Sequence, residues 1–139
     1  MSPHSELPPA GADLQQNRAA ALGRQAEDYA ARYAASRGWR LLGRNIKNRY
    51  GELDIVAMDN EERELVVIEV RCRTLGEVQS PVDSVGPRKL RTLVRAGQAF
   101  VEKMHWTGFW RIDLIALTAG STESAWKLDH IRDITAGLL

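Results

Sequence analysis

The run Leu65-Val66-Val67-Ile68 is apolar without interruption and ends directly on Glu69, followed by Val70 and Arg71. A short continuous apolar run of this kind is the pattern of a strand buried on both faces. A carboxylate placed directly after it is expensive unless it is paired or holds a metal. Fifteen positions earlier, Asp54 sits in the stretch Gly51-Glu52-Leu53-Asp54-Ile55, which also reads as a strand.

The flanking segments supply the rest of a mixed α/β domain. Leu14 to Ser36 is Ala-rich, and Leu22, Ala26, Tyr29, Ala30, Tyr33 and Ala34 recur at helical spacing along one stripe, with Gly38 as the stop. Trp39 to Ile46 reads as a first strand interrupted by Gly43, and Asn48 to Gly51 as a turn. Glu52 to Met58 and Glu64 to Arg71 follow as strands joined through Asp59-Asn60-Glu61-Glu62. Cys72 to Gly86 is a polar loop, and Pro87 stands where a first helical residue belongs. A helix then continues to Lys103 with Leu90, Leu93, Val94, Gly97, Phe100, Val101 and Met104 on its apolar stripe. Phe109 to Leu117 is a further strand broken by Asp113, and Trp126 to Ile131 a short edge strand.

The hairpin can be tested for register. With Asp54 opposite Glu69, Val56 meets Val67, Met58 meets Leu65 and Glu52 meets Arg71, all on one face. Two facing carboxylates repel unless a cation lies between them, and either a divalent metal or Arg71 would resolve the conflict.

A chain of 139 residues, 44% hydrophobic and 27% charged, has the size and composition of one soluble globular domain. No apolar stretch approaches the ~20 residues of a membrane span, so no membrane partner is expected. Met1 to Asn17, with Pro3, Pro8, Pro9 and Gly11, reads as a disordered tail rather than a signal peptide, leaving 18–139 as the domain. The single Cys72 excludes an internal disulfide framework and fits a reducing cytoplasm.

Net charge is only +1, but it is segregated. Arg37 to Gly51 carries five basic residues and no acid, and Arg71 to Arg95 six against Glu77 and Asp83. These segments hold +5 and +4, leaving the remainder at −8, a distribution that can line a positive groove. Arg88, Lys89, Arg91 and Arg95 crowd the start of a helix, where cations oppose the macrodipole and an anion would relieve them. His4, His105 and His130 are too scattered to suggest a metal cluster. Trp106 and Trp110 could stack on bases, although a place in the core is the favoured reading.

An ordered set of motifs carries a resemblance. It comprises Gly23-Arg24-Gln25-Ala26-Glu27-Asp28, Arg44-Asn45, Gly51-Glu52-Leu53-Asp54, Ile68-Glu69-Val70-Arg71-Cys72-Arg73, Val85 through Lys89, and Arg111-Ile112-Asp113. From about Leu22 the chain resembles the bacterial YraN family of nuclease-like proteins. These belong to the PD-(D/E)xK superfamily with the restriction-endonuclease-like fold, and are relatives of archaeal Holliday-junction resolvases. The resemblance implies a mixed central sheet of four to five strands flanked by helices. It also implies a metal-dependent endonuclease acting on nucleic acid, with structured or branched DNA favoured over RNA. Asp54 and Glu69 correspond to metal ligands, joined by the carbonyl of Val70, and the oxygen set suits Mg²⁺ or Mn²⁺. Glu27 matches an acidic residue placed near the metal from the first helix, and Glu52 a supporting group that pairs with Arg71.

The sequence departs from the pattern at Arg71, where the superfamily has a lysine that positions or deprotonates water. Arginine keeps the charge and suits phosphate but takes no proton. Either the metal alone activates water beside Arg71, or Arg73 or Lys89 covers the position, or the protein binds without cutting. Arg44, Lys47 and Arg49 on one side and Arg73, Arg88 and Lys89 on the other would neutralise backbone phosphates. Resolution of a junction would favour a two-fold homodimer.

Overall fold

The computed structural model describes residues 10–76, 78–120 and 126–135. Helix α1 spans Ala10–Ser36 and ends as its sequence dictates. Gly38 adopts φ +83°, its N–H donates to the Ala35 carbonyl, and the Trp39 N–H donates to the Ala34 carbonyl. This is a Schellman turn, in which glycine bears the left-handed residue and a hydrophobic residue follows to pack back on the helix. Trp39 does so, buried in the same cluster as Ala34. α1 begins at Ala10, ahead of the expected Leu14 and within the segment 1–17 expected as a tail. Residues 1–9 of that segment lie outside the described residues.

Strands β1 (Arg40–Asn48), β2 (Gly51–Asp59), β3 (Glu64–Arg73), β4 (Trp110–Thr118) and β5 (Lys127–Ile131) form one sheet in sequential order. β3 and β4 pair parallel and every other pair is antiparallel. A parallel neighbour requires a long crossover, and α2 (Pro87–Lys103) supplies it. The result is the expected α/β fold of restriction-endonuclease-like type, a mixed five-stranded sheet with a helix on each face. β1 runs on past Gly43 to Asn48 because an irregularity between Leu41 and Gly43 absorbs the glycine without ending the pairing.

β3 is the buried centre. Val66 and Ile68 pack toward α1 with Ala26, Ala30, Ala34 and Ile115, while Leu65 and Val67 pack toward α2 with Leu93, Ala96 and Ile112. The hairpin register agrees with the sequence: Val56 faces Val67 and Met58 faces Leu65. Trp106 and Trp110 are partly buried and pack against the α2-side core, the placement favoured from the sequence. Among the described residues no helix is long and apolar enough to cross a membrane.

α2 lies close on the sheet because Gly97 has no side chain. A Cβ there would stand 2.5 Å from Cζ3 of Trp110. Gly97→Ala is therefore expected to destabilise by about 1–2 kcal/mol, overpacking outweighing the gain in helix propensity. A urea titration checks this, and a variant more stable than wild type would show that the approach is not tight.

Candidate functional site

The site forms where β2 and β3 part. Their backbone ladder runs from Asp59 opposite Glu64 to Ile55 opposite Ile68. Beyond it the Val70 N–H donates to Asp54 Oδ2 at 2.9 Å, a carboxylate occupying the place of a backbone partner. A residue in a strand turns its N–H and C=O to the same edge, so the Val70 carbonyl faces the β2 side as well. The other edge of β3 remains paired with β4 through Arg73.

Glu69 is only 3% exposed, on the α2 side of the sheet with Leu65 and Val67. Its Oε2 lies 3.3 Å from Arg71 Nε and 3.8 Å from Lys89 Nζ, while its Oε1 is buried with no hydrogen-bond donor. Burial, and then the negative charge of Asp54, push the Glu69 carboxyl up to about 8, outweighing Lys89 and Arg71. The pair thus has more negative potential than its own cations compensate. Glu27 on α1 faces the same region. Its carboxyl is raised by burial and then by Asp54, with Glu52 adding to the effect and Arg44 opposing it.

These residues fit a hydrated hard cation better than a closed protein cage. Among the described residues, no three His, Cys, Asp or Glu side chains come together to hold a metal. Two carboxylates, one without a donor on an oxygen, and a nearby carbonyl make a sparse oxygen set of the kind Mg²⁺ takes while keeping several waters.

The basic residues divide between the site and its surroundings. Arg71 and Lys89 converge on Glu69. Arg73 instead donates to the Gln79 carbonyl in the following loop. Arg44, opposite Ile55 in the β1 ladder, pairs with Asp28 of α1 at 2.7 Å. Arg88 is exposed beside Lys89 on the first turn of α2. Lys47 and Arg49 lie further off. Asn48 between them donates to the Ala96 carbonyl, about 10 Å along α2 from Lys89. Arg49 there stacks over Tyr50 at 4.7 Å.

One expected pairing is corrected. Glu52 does not meet Arg71. It is exposed on β2 opposite Lys47, because β2 and β3 have already parted and Arg71 turns along its own strand to Glu69.

A second charged group lies at the other end of the same strands. Buried Arg111 donates to Asp113 Oδ1 (3.0 Å), Glu64 Oε2 (2.7 Å) and Asp59 Oδ2 (3.1 Å), and lies over the Trp39 ring. Asp113, fully buried, also meets His130 Nε2 at 2.8 Å and accepts from the Asp133 N–H, and His130 Nδ1 meets the Tyr33 hydroxyl at 2.9 Å. Burial raises the Asp113 carboxyl, but His130, Arg111 and the Asp133 amide together hold it below the usual carboxylate range. Every charge here has a partner, which marks a structural clamp rather than a site poised for a ligand. The only sequence trace of it is Asp113 interrupting an apolar run.

Comparison with known proteins now decides the family. Residues 26–117 match the model of Uncharacterised protein family UPF0102. The chain belongs to this family. It is 40% identical to the UPF0102 protein of Marinobacter nauticus, over 81% of this chain and 89% of the relative. With that of Anaeromyxobacter dehalogenans it shares 41% identity over 79% and 80% of the two chains. With that of a Mycobacterium species it shares 38% over 73% and 76%. The matched UPF0102 region contains Glu27, Asp54, Glu69, Arg71 and Lys89, and with them both elements that frame the acid pair. This is the YraN family that the motifs resemble.

Proposed function

We propose that this UPF0102 protein is a divalent-metal-dependent nuclease that hydrolyses phosphodiesters, with structured or branched DNA favoured over RNA. The observation that carries the reading is the acid pair: Glu69, buried beside Asp54 with Oε1 lacking a donor, beneath two cations from different elements. Asp54, Glu69 and the Val70 carbonyl would hold Mg²⁺ or Mn²⁺, which when bound supplies an activated water and charge for the scissile phosphate. Glu27 would adjust the field at Asp54 from the opposite helix, and Glu52 would add to it from the edge. Arg71 holds Glu69 in place and presents a permanent positive charge toward a phosphate. Arg44, Lys47, Arg49, Arg73 and Arg88 neutralise backbone phosphates without reading sequence. A branched substrate cut symmetrically would require a two-fold dimer, and the single Cys72, which can form no disulfide within the chain, suits a reducing cytoplasm.

The test offers purified protein branched, double-stranded and single-stranded DNA and RNA with Mg²⁺ or Mn²⁺, beside Asp54→Ala. Wild type is expected to cleave and Asp54→Ala to leave only background. Cleavage that persists in Asp54→Ala would assign the activity to a contaminant. The second reading, binding without hydrolysis, is favoured by Arg71 standing where the motif has lysine. It would be established by salt-dependent binding of nucleic acid with no product at any metal concentration.

A further inference from the structure

We infer that Lys89, on α2, is the catalytic lysine of this site, contacting the scissile phosphate and its attacking water in the place that Arg71 leaves unfilled on β3. The inference rests on the nuclease reading above.

Three geometric facts support it. First, Arg71 and Lys89 approach the same Glu69 oxygen from two elements, at 3.3 and 3.8 Å, so the helix already delivers an ammonium to where the strand delivers a guanidinium. Arg73, the other basic residue next to the motif, is directed to the Gln79 carbonyl. Second, the Lys89 side chain is 39% exposed, whereas the Glu69 side chain it touches is 4% exposed. The lysine side chain therefore lies between the buried carboxylate and the open side from which a phosphate would come. An ammonium has three N–H donors around one point charge, so contact with Glu69 leaves donors for a phosphate oxygen and a water. Third, the position is fixed. Pro87 occupies N1, the Leu90 N–H donates to Gly86, Val85 packs into the α2-side core, and Leu93 is fully buried one turn on.

The helix itself does not favour a lysine there. The first turn of α2 has no acidic residue and its N-cap Gly86 offers no side-chain cap, so Arg88 and Lys89 add positive charge where the macrodipole is already positive. Glu69 offsets this for Lys89, and a bound phosphate would offset it further.

In the hydrolysis, the water oxygen bonds to phosphorus as the bond from phosphorus to the leaving sugar oxygen breaks. The water gives one proton to solvent, and the leaving oxygen takes one from solvent. Lys89 holds the water and a non-bridging oxygen in line and stays an ammonium throughout.

The experiment compares wild type, Lys89→Ala, Asp54→Ala and the double variant Lys89→Ala/Arg71→Lys. It measures single-turnover cleavage at saturating protein, nucleic-acid affinity, and Mn²⁺ affinity by calorimetry without nucleic acid. Lys89→Ala is expected to slow cleavage by about 100-fold or more. Its nucleic-acid affinity should stay within about 3-fold of wild type, a small loss for one phosphate contact. Its Mn²⁺ affinity should be equal or higher, since a competing cation has gone. Arg71→Lys in that background should recover at least about tenfold by returning a lysine to the strand. Lys89→Ala cutting at the wild-type rate while Asp54→Ala does not would overturn the role of Lys89 and leave the nuclease reading standing. A loss confined to affinity would make Lys89 a backbone contact only and also overturn it. Loss of Mn²⁺ binding in Lys89→Ala would make its effect structural, and the catalytic role would fall with it. Wild type that cuts nothing would remove both readings together.

Discussion

Arg111→Ala should cost this protein a large part of its stability. The substitution leaves Asp59, Glu64 and Asp113 around a buried hole, with Asp113 fully inaccessible to water. Removing one partner of a buried ionic group costs about 3–5 kcal/mol, because the remaining charge keeps its desolvation penalty and loses its compensation. A domain of this size is stable by only about 5–15 kcal/mol, so the melting temperature should fall by roughly 10–20 °C. The pH dependence should also change. In wild type, Asp113 and Asp59 are both held below their ordinary value of 3.8. They contribute stability that is fully present above that value and lost as pH falls beneath it. In the variant the same carboxylates lack their counter-ion and gain by protonation, so its stability should rise as pH is lowered from 7 toward 5. Thermal melts across that range check both points. A loss of less than about 5 °C at pH 7 would mean that the network is looser than its distances indicate.

The second large effect concerns Glu69 and runs the other way. Its carboxyl is raised from 4.5 to about 8 in the folded protein, so folding binds a proton between those values. Where the native state holds more protons than the unfolded state, stability falls with rising pH. Metal-free wild type should therefore lose stability from about pH 4.5 to 8 and level off above it. Glu69→Gln removes the charge while keeping the shape. It should match wild type near pH 5 and exceed it by about 3–5 kcal/mol at pH 9, in chelator. Mn²⁺ should reverse the order by stabilising wild type and not Glu69→Gln. The apparent Mn²⁺ affinity of wild type should weaken as pH drops below 8, because the metal must displace the proton. Melts in chelator and in Mn²⁺ at pH 5, 7 and 9 suffice. A wild-type melting temperature flat from pH 5 to 8 would show that the Glu69 carboxyl is not raised.

The elements legible in the sequence were those whose signals are local. The apolar run at Leu65 to Ile68, the turn residues from Asp59 to Glu62 and the Pro87 start of α2 each reflect a few neighbouring residues. Cross-strand pairing then fixed Val56 on Val67 and brought Asp54 beside Glu69. What local pattern did not reveal was where pairing stops. The register that aligned Asp54 with Glu69 also put Glu52 against Arg71, yet the strands part first and Arg71 turns back to Glu69. The Arg111 clamp was illegible for another reason. Its members are drawn from β2, β3, β4, β5 and α1, and no short window contains more than two of them. Lys89 carried a signal that pointed two ways. As one of several basic residues on a helix start it suggested backbone binding, and only the packing of α2 on the sheet brings it to Glu69.

Glu64 and Glu69 hang from one buried strand, five residues and about 17 Å apart. The first belongs to the Arg111 clamp, whose charges balance within the protein, and the second to the acid pair, whose charges do not. The molecule thus has a sealed end and a responsive end, joined by a stiff rod of backbone. Changes at the responsive end can alter which cation or phosphate is held, or abolish hydrolysis, without loosening what secures the fold. Within such a scaffold, a change at the acid pair that removes catalytic competence leaves the fold as stable or more so, whereas a change in the clamp weakens it.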